Sequence, residues 1–171
     1  RSRQVDVAAT MMVATVALPN IVRKFGEKYP DMVVRVQDRF PESALEAVRS
    51  GACDMAVMVL EEEKEGISFE RLTSDVCVVV TNRNHPLLEK PNATLREVLS
   101  HPLLSPDGHI ALRRAVEEEA KKRGLELRLA PEARRVSNVM TLLAMAAAGL
   151  GVCIHPSSLI PPELHPTIGI V

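Results

Sequence analysis

Three residues in one short turn carry the side-chain types of a hydrolase triad. Ser105, Asp107 and His109 provide a hydroxyl, a carboxylate and an imidazole within the segment SPDGH. A nucleophile, its base and the group that orients the base must converge from different directions, which neighbours on one tight turn cannot easily do. Because no GxSxG sequence accompanies these residues, we predict no catalytic residue and no enzyme activity.

The cysteines and histidines form no metal-binding sequence. Cys53, Cys77 and Cys153 are far apart, and each lies in an apolar run. Neither CxxC nor HExxH occurs, so we predict no metal site and no cofactor. Widely spaced thiols in apolar surroundings are typical of buried, reduced cysteines, and they indicate a cytoplasmic protein.

The length and charge of the chain limit the kinds of binding partner that we expect. A chain of 171 residues can fold as one ordinary domain or as two small lobes. Its formal net charge of −1 provides no general attraction to DNA or to anionic lipid, so DNA binding would need a local patch or a separate module. No segment is apolar over a membrane-spanning length, and we expect no membrane partner.

The elements that must position any site alternate between helices and strands. The clearest unit is Pro41 to Leu60, where apolar residues at helical spacing lead to Gly51 and then to an apolar run from Met55. A strand this apolar is usually covered on both faces of a parallel or mixed sheet, which predicts an α/β fold. The alternation falls into two blocks, residues 1–73 and 76–156, and suggests two α/β lobes.

The same patterns predict the other elements. Strands are expected over residues 5–9, 31–38, 67–72, 76–81, 103–105, 125–129, 152–154 and 167–171, and helices over 10–29, 95–100, 110–123 and 139–148. Pro19 indicates that the first helix becomes regular only near that position. Thr10 and Ser137 stand where hydroxyl groups cap helices, and Thr94 with Glu97 has the spacing of a capping box.

Five stretches, in the correct order, resemble the effector-binding domain of LysR-type transcriptional regulators. One is the helix that leads to Gly51 and Asp54, followed by Ala56 and Val57. The others are VAATMMVATVALPNIVRKFGEKYPDMVVRV, VCVVVTNRNHPL, LREVLSHPLLS and VSNVMTLLAMAAAGLGVCIHPSSL. Together they cover nearly the whole chain.

The resemblance implies a periplasmic-binding-protein-like fold of type 2, in which two Rossmann-like lobes are joined by two crossover segments. Lobe I would comprise residues 1–75, with residues 157–171 returning to it, and lobe II residues 76–156. The resemblance also implies a homodimer or homotetramer. DNA binding is expected only through an N-terminal winged helix-turn-helix domain, which this sequence does not include.

The resemblance further implies a small-molecule site in the cleft between the lobes. Strand-to-helix turns there would present free backbone N–H groups and helix dipoles, which favour organic acids or amino-acid relatives. The candidate effector-binding residues are Thr10, Met11, Met12, Phe40, Ser43, Ser105, His109, Ser137, Asn138 and His155. Ordinary capping remains open for the hydroxyl and amide side chains, core packing for the methionines and Phe40, and a structural role for the histidines.

The sequence therefore favours the ligand-sensing domain of a LysR-type regulator. A solute-binding protein of a transporter would share the fold, and a secretion signal would precede it. An enzyme of the same fold would need a catalytic role for Asp107 or His109, which nothing else in the sequence supports.

Overall fold

The computed structural model describes residues 3–59, 65–106 and 111–171. The chain divides into two compact units, Arg1–Ser74 and Asp75–Val171. The strands are β1 (Arg3–Ala9), β2 (Met32–Asp38), β3 (Met55–Val57), β4 (Cys77–Asn82), β5 (Cys153–Pro156) and β6 (Ile168–Ile170). The α-helices are α1 (Leu18–Lys28), α2 (Pro41–Arg49), α3 (Leu95–Leu99), α4 (Ala111–Lys122) and α5 (Val139–Ala147), and a π-helical turn, Val13–Ala17, precedes α1.

β1 is the central strand of the first unit. It pairs in parallel with β2 on one side and with β3 on the other, and α1 and α2 provide the crossovers that parallel pairing requires. Ala8 of β1 packs against Ala44 and Ala47 of α2 and against Cys53. Because these side chains are small, α2 can lie close to the sheet.

β3 is shorter and more exposed than its apolar sequence predicted. Met55 is 49% exposed and Val59, just beyond the strand, is 58% exposed. Among the described residues β3 pairs with β1 alone and is therefore an edge strand, and none of its three residues is fully buried. The strand predicted over residues 67–72 does not form, and Leu72 in that segment is exposed.

The first helix becomes regular where the sequence predicted. The Thr10 carbonyl accepts the N–H of Ala14 at 2.9 Å, the backbone then widens into the π-helical turn, and α1 begins at Leu18. Pro19 has no N–H to donate to the preceding turn, which explains why an irregular segment ends beside it.

β4 is the central strand of the second unit and pairs antiparallel with both β5 and β6. Parallel bridges join Leu103 to Leu129 and to Val152, so the strands predicted over residues 103–105 and 125–129 contribute single bridges only. α5 lies against β4, and its Leu142 and Leu143 are fully buried.

The last segment lies in the second unit, not the first. The resemblance implied that residues 157–171 return to lobe I, but β6 pairs with β4 and belongs to Asp75–Val171. Ile168 and Gly169 are buried there. Gly169 has a packing reason for this place, because a Cβ at that position would overlap Leu88 and stand 2.9 Å from the carbonyl oxygen of Asn82.

The predicted capping box at α3 is confirmed. The Glu97 carboxylate accepts the N–H of Thr94 at 2.8 Å, and the Thr94 hydroxyl accepts the N–H of Glu97 at 3.3 Å. In α4, Glu119 pairs with Arg123 at 2.7 Å, and Glu117 pairs with Arg113, four residues before it, at 2.8 Å.

A pair of glycine substitutions tests the position of β6. We expect Gly169→Ala to lower the free energy of unfolding by about 1–3 kcal/mol, because the added methyl group has no space beside Leu88. Gly26→Ala is the matched control: Gly26 lies within α1, with nothing within 4 Å of an added Cβ. It should raise the free energy of unfolding by about 0.5–1 kcal/mol. Urea denaturation measures both, and an undiminished stability of Gly169→Ala would contradict the pairing of β6 with β4.

Candidate functional site

The carboxyl ends of the three parallel strands in the first unit meet at one edge of the sheet. β1 ends at Ala9, β2 at Asp38 and β3 at Val57, and each of the first two leads directly into a turn before a helix. Two backbone bonds tie this edge together: Thr10 N–H donates to Val57 at 3.3 Å, and Arg39 N–H donates to Ala9 at 2.8 Å. In α/β sheets this edge is where ligands bind.

Thr10 begins the first helix through its backbone but does not cap it with its side chain. Its carbonyl accepts the first helical bond, from Ala14. No hydrogen bond of its hydroxyl is found within the described ranges, and the residue is half-buried. The predicted hydroxyl cap is therefore wrong. The hydroxyl lies at the sheet edge, beside the first turn of a helix, where backbone N–H groups lack helical partners.

The two methionines and Phe40 differ in accessibility. Met12 is 5% exposed and belongs to the core, whereas Met11 is half-buried. Phe40 is 67% exposed at the position before α2, so core packing is excluded for it. Its carbonyl accepts the N–H of Ala44 at 2.9 Å, and Pro41 follows at the first helical position.

Ser43 is held by a residue that the sequence analysis missed. Arg39 donates from Nη1 to the Ser43 hydroxyl at 3.1 Å. It also donates to Gln37 Oε1, from Nε at 3.2 Å and from Nη2 at 2.7 Å. The one signal that marks Arg39 in the sequence is its place directly after β2 and before the turn to α2.

In the second unit Ser105 faces a very small space. It is 9% exposed and lies with Leu112, Arg113 and Ile154 around a cavity of about 20 Å³. That volume holds about one water molecule, so the cavity by itself cannot accept a metabolite. His109 was also predicted at this turn, but it lies outside the described residues, as does Asp107.

Asn138, not Ser137, caps α5. The Asn138 side-chain oxygen accepts the N–H of Met140 at 2.9 Å, whereas Ser137 lies one residue before the cap and is exposed. The amide of Asn138 is therefore used in capping, and the Ser137 hydroxyl stands free of that role.

His155 is a buried structural residue. It is 7% exposed, and its Nε2 lies 3.3 Å from the carbonyl oxygen of Leu159. Burial lowers the pKa of His155, against smaller opposing effects of the Leu159 carbonyl and the charge of Asp75. Removed from solvent in this way, the imidazole is not placed to contact a ligand.

Asp75 forms a cluster with two serines that the sequence analysis missed. Its carboxylate accepts hydrogen bonds from the Ser158 hydroxyl at 2.6 Å, the Ser158 N–H at 2.9 Å and the Ser157 hydroxyl at 2.9 Å. Its own neighbour, Val76, donates a further N–H at 2.8 Å. These bonds, led by the Ser158 hydroxyl, lower the pKa of Asp75 to about 2. The cluster fastens the first residues of the second unit to the turn after β5.

Neither a metal-ligand cluster nor a membrane span is found in the described ranges. Over residues 3–59, 65–106 and 111–171, no three histidine, cysteine, aspartate or glutamate side chains are grouped as metal ligands would be. In the same part of the chain, no helix combines the length and the apolar character needed to cross a membrane.

Comparison with known proteins decides the family. Residues 1–167 match the model of the LysR substrate binding domain. The chain belongs to this family. The resemblance seen in the sequence is thereby confirmed, and so is the periplasmic-binding-protein-like α/β fold, which the solved LysR effector-binding domains share with it.

This LysR substrate binding domain is similar to two domains solved with ligands. The effector-binding domain of QuiR in complex with shikimate has a TM-score of 0.82 and 18% identity, covering 100% of this chain and 80% of that chain. The BenM effector-binding domain with its effector benzoate has a TM-score of 0.80 and 19% identity, covering 99% of this chain and 76% of that chain. At these identities the likeness shows the fold alone.

One curated relative is the probable hydrogen peroxide-inducible genes activator of Mycobacterium avium. It is 28% identical over 151 residues, which cover 88% of this LysR domain and 48% of the relative. The domain therefore spans about half the length of that relative.

The two residues at the start of α5 separate capping from other roles. We expect Asn138→Ala to lower the free energy of unfolding by about 1 kcal/mol, because it removes the hydrogen bond to Met140. Ser137→Ala, one residue away, should change it by less than about 0.5 kcal/mol. Chemical denaturation measures both. A larger loss for Ser137→Ala would show that the serine is the cap.

The Asp75 cluster predicts a stability difference at acid pH. A carboxyl group whose pKa is lowered by folding stabilises the folded state above its unfolded pKa, and this contribution disappears as pH falls through the folded pKa. The stability of the wild type should therefore fall more steeply than that of Asp75→Asn between pH 3.8 and about 2. Thermal unfolding of both proteins over that pH range measures the difference in stability. The other carboxyl groups contribute equally to both proteins. Parallel curves would contradict the hydrogen-bonded state of Asp75.

Proposed function

We propose that this chain is the ligand-sensing domain of a LysR-type transcriptional regulator and that its ligand is a small organic anion. The observation that carries the proposal is the carboxyl edge of the first sheet, where the Thr10 hydroxyl has no hydrogen-bond partner among the described residues. A hydroxyl beside helix starts is suited to an anion, because it adds a donor to backbone N–H groups.

Membership in the family supports the ligand class. Shikimate and benzoate, bound by QuiR and BenM, are both carboxylates. We propose that an organic acid or an amino-acid-like molecule is recognised by Thr10, Met11 and the turn from Phe40 to Ser43 in the first unit. The candidate contact that the second unit offers is the accessible Ser137, whereas Ser105 is buried beside a cavity too small for a metabolite. Met12 and His155 are buried, and they are left out of the proposed contacts.

The proposed mechanism is a shift of population. A ligand that binds one arrangement of the regulator more tightly than another redistributes the protein between them, by no more than its difference in affinity. We propose that the regulator acts as a homodimer or homotetramer in the cytoplasm. Binding to DNA would occur through an N-terminal winged helix-turn-helix domain, since this chain has a formal net charge of −1.

Peroxide sensing through a thiol is a second candidate, suggested by the name of the Mycobacterium avium relative. The three cysteines of this chain weigh against it. Cys53 is buried, and burial raises the pKa of Cys153 to about 12. Cys77 is exposed, yet partial burial and the charge of Asp75 raise its pKa as well. Since the thiolate is the reactive form, none of the three is favoured as a peroxide-reactive group.

A transporter's solute-binding protein and an enzyme of the same fold gain no support. The family match is to a regulator domain, and the similar proteins named above are regulators or regulator domains. These comparisons therefore favour the regulator.

Binding measurements on two variants test the proposal. After a thermal-shift screen of small organic acids and amino acids identifies a ligand, calorimetry compares the wild type with Thr10→Val and Ser137→Ala. Each variant should weaken binding about two- to tenfold, because each loses one hydrogen-bond donor, and both should remain folded.

Thr15→Val is the matched control, since Thr15 is an exposed threonine in the π-helical turn of the same unit. Its affinity should equal that of the wild type. Unchanged affinity of both Thr10→Val and Ser137→Ala would rule out the proposed contacts, and the failure of every organic acid and amino acid to bind would rule out the ligand class.

A further inference from the structure

Arg39 is a half-buried arginine whose guanidinium group is held only by neutral side chains. Three of its N–H groups donate to Gln37 Oε1 and to the Ser43 hydroxyl, at distances of 2.7–3.2 Å. Within the described part of the chain, no carboxylate lies close enough to Arg39 to form an ion pair. The group is thus fixed in position while its charge is not balanced.

Arg35, on β2, shows the contrasting case. Its Nε donates to Asp6 at 3.0 Å, and this bond is the main cause that lowers the pKa of Asp6. The Gln37 side-chain oxygen that accepts from Arg39 is neutral, so it holds the Arg39 guanidinium without balancing its charge. Among the described residues, Arg35 therefore has a carboxylate partner and Arg39 has none.

The charge lies at the edge where the proposed ligand would bind. The Arg39 N–H donates to Ala9, the residue before Thr10, and its side chain reaches Ser43 in the first turn of α2. The acidic side chains nearest in sequence, Asp38 and Glu42, are both exposed and make no ion pair with it. A fixed guanidinium with free N–H groups is well suited to a carboxylate or phosphate.

We infer that Arg39 supplies the counter-charge for the anionic group of the ligand and selects anions over neutral molecules of the same shape. The inference rests on the proposed function, because it assigns a specificity-determining residue to the proposed site. Two consequences follow from an arginine in this role. Binding should weaken as salt concentration rises, and it should stay constant between about pH 6 and 9, since arginine remains charged throughout that range.

The test follows the side-chain Nε–H signal of Arg39 by NMR, in the whole 171-residue chain. Its assignment comes from the signal lost in Arg39→Gln. The probes are benzoate, sulfate and, as a neutral mimic of benzoate, benzamide. We expect benzoate or sulfate to shift the Arg39 signal to saturation, while benzamide leaves it in place and the Arg35 signal does not respond.

Variants give the corresponding affinities. Arg39→Gln should weaken binding of the anion by about ten- to a hundredfold, as expected for a lost charge-assisted hydrogen bond. Arg35→Gln is the matched control: Arg35 lies on β2, four residues before Arg39, and already pairs with Asp6, so its loss should leave the affinity unchanged. Arg39→Lys keeps the charge but loses the two-bond contact with Gln37, so its affinity should lie between the wild type and Arg39→Gln.

The outcomes separate this inference from the proposed function. The inference is overturned if Thr10→Val weakens anion binding while the Arg39 Nε–H signal does not move, or moves in proportion to anion concentration without saturating. The proposed site then stands. If Arg39 responds as expected while Thr10→Val and Ser137→Ala bind normally, Arg39 is an anion site and the proposed contacts are wrong. Equal responses to benzoate and benzamide would overturn the selection of anions.

Discussion

Parallel pairing of β1 with β2 and β3 is the constraint on which the proposed site depends. It places the ends of three strands at one edge and makes the chain turn there twice into a helix. The bonds from Thr10 to Val57 and from Arg39 to Ala9 hold the turns beside each other. Antiparallel pairing would have sent alternate strand ends to opposite edges and separated Thr10 from the turn before α2.

Gly51 and Asp54 also help to position this sheet, although they lie away from the edge of the proposed site. Gly51 ends the segment after α2 with a φ of 71°, which suits glycine, and the chain then enters β3. Asp54 accepts the N–H of Asp6 at 2.7 Å, which fastens the start of β3 to β1. The carboxylate of Asp54 therefore satisfies a backbone group of the neighbouring strand. These residues position the sheet edge without belonging to it.

Local sequence patterns predicted much of the fold for a physical reason. The capping box of α3 and the irregular turn before Pro19 depend on residues a few positions apart, whose preferences act in isolation. The strands β1, β2 and β4 carry enough apolar residues to be recognised without knowing their neighbours. The resemblance then provided the order in which such elements assemble.

What the sequence could not predict depends on contacts between distant residues. β6 pairs with β4 with Gly169 packed so closely against Leu88 that a Cβ would not fit, and no local pattern indicates which strand a short apolar segment joins. The exposure of β3 follows from its single partner strand. At the site, the residue used for capping α5 was missed by one position, and Arg39 was missed because its hydrogen bonds to Gln37 and Ser43 are visible only in three dimensions.

A crystal structure of the protein with a bound organic acid would test the central claim most directly. We expect the anionic group within hydrogen-bond distance of the Thr10 hydroxyl, at the carboxyl edge of the sheet formed by β1, β2 and β3. A ligand bound in full occupancy elsewhere on the chain, with water alone at Thr10, would contradict the account.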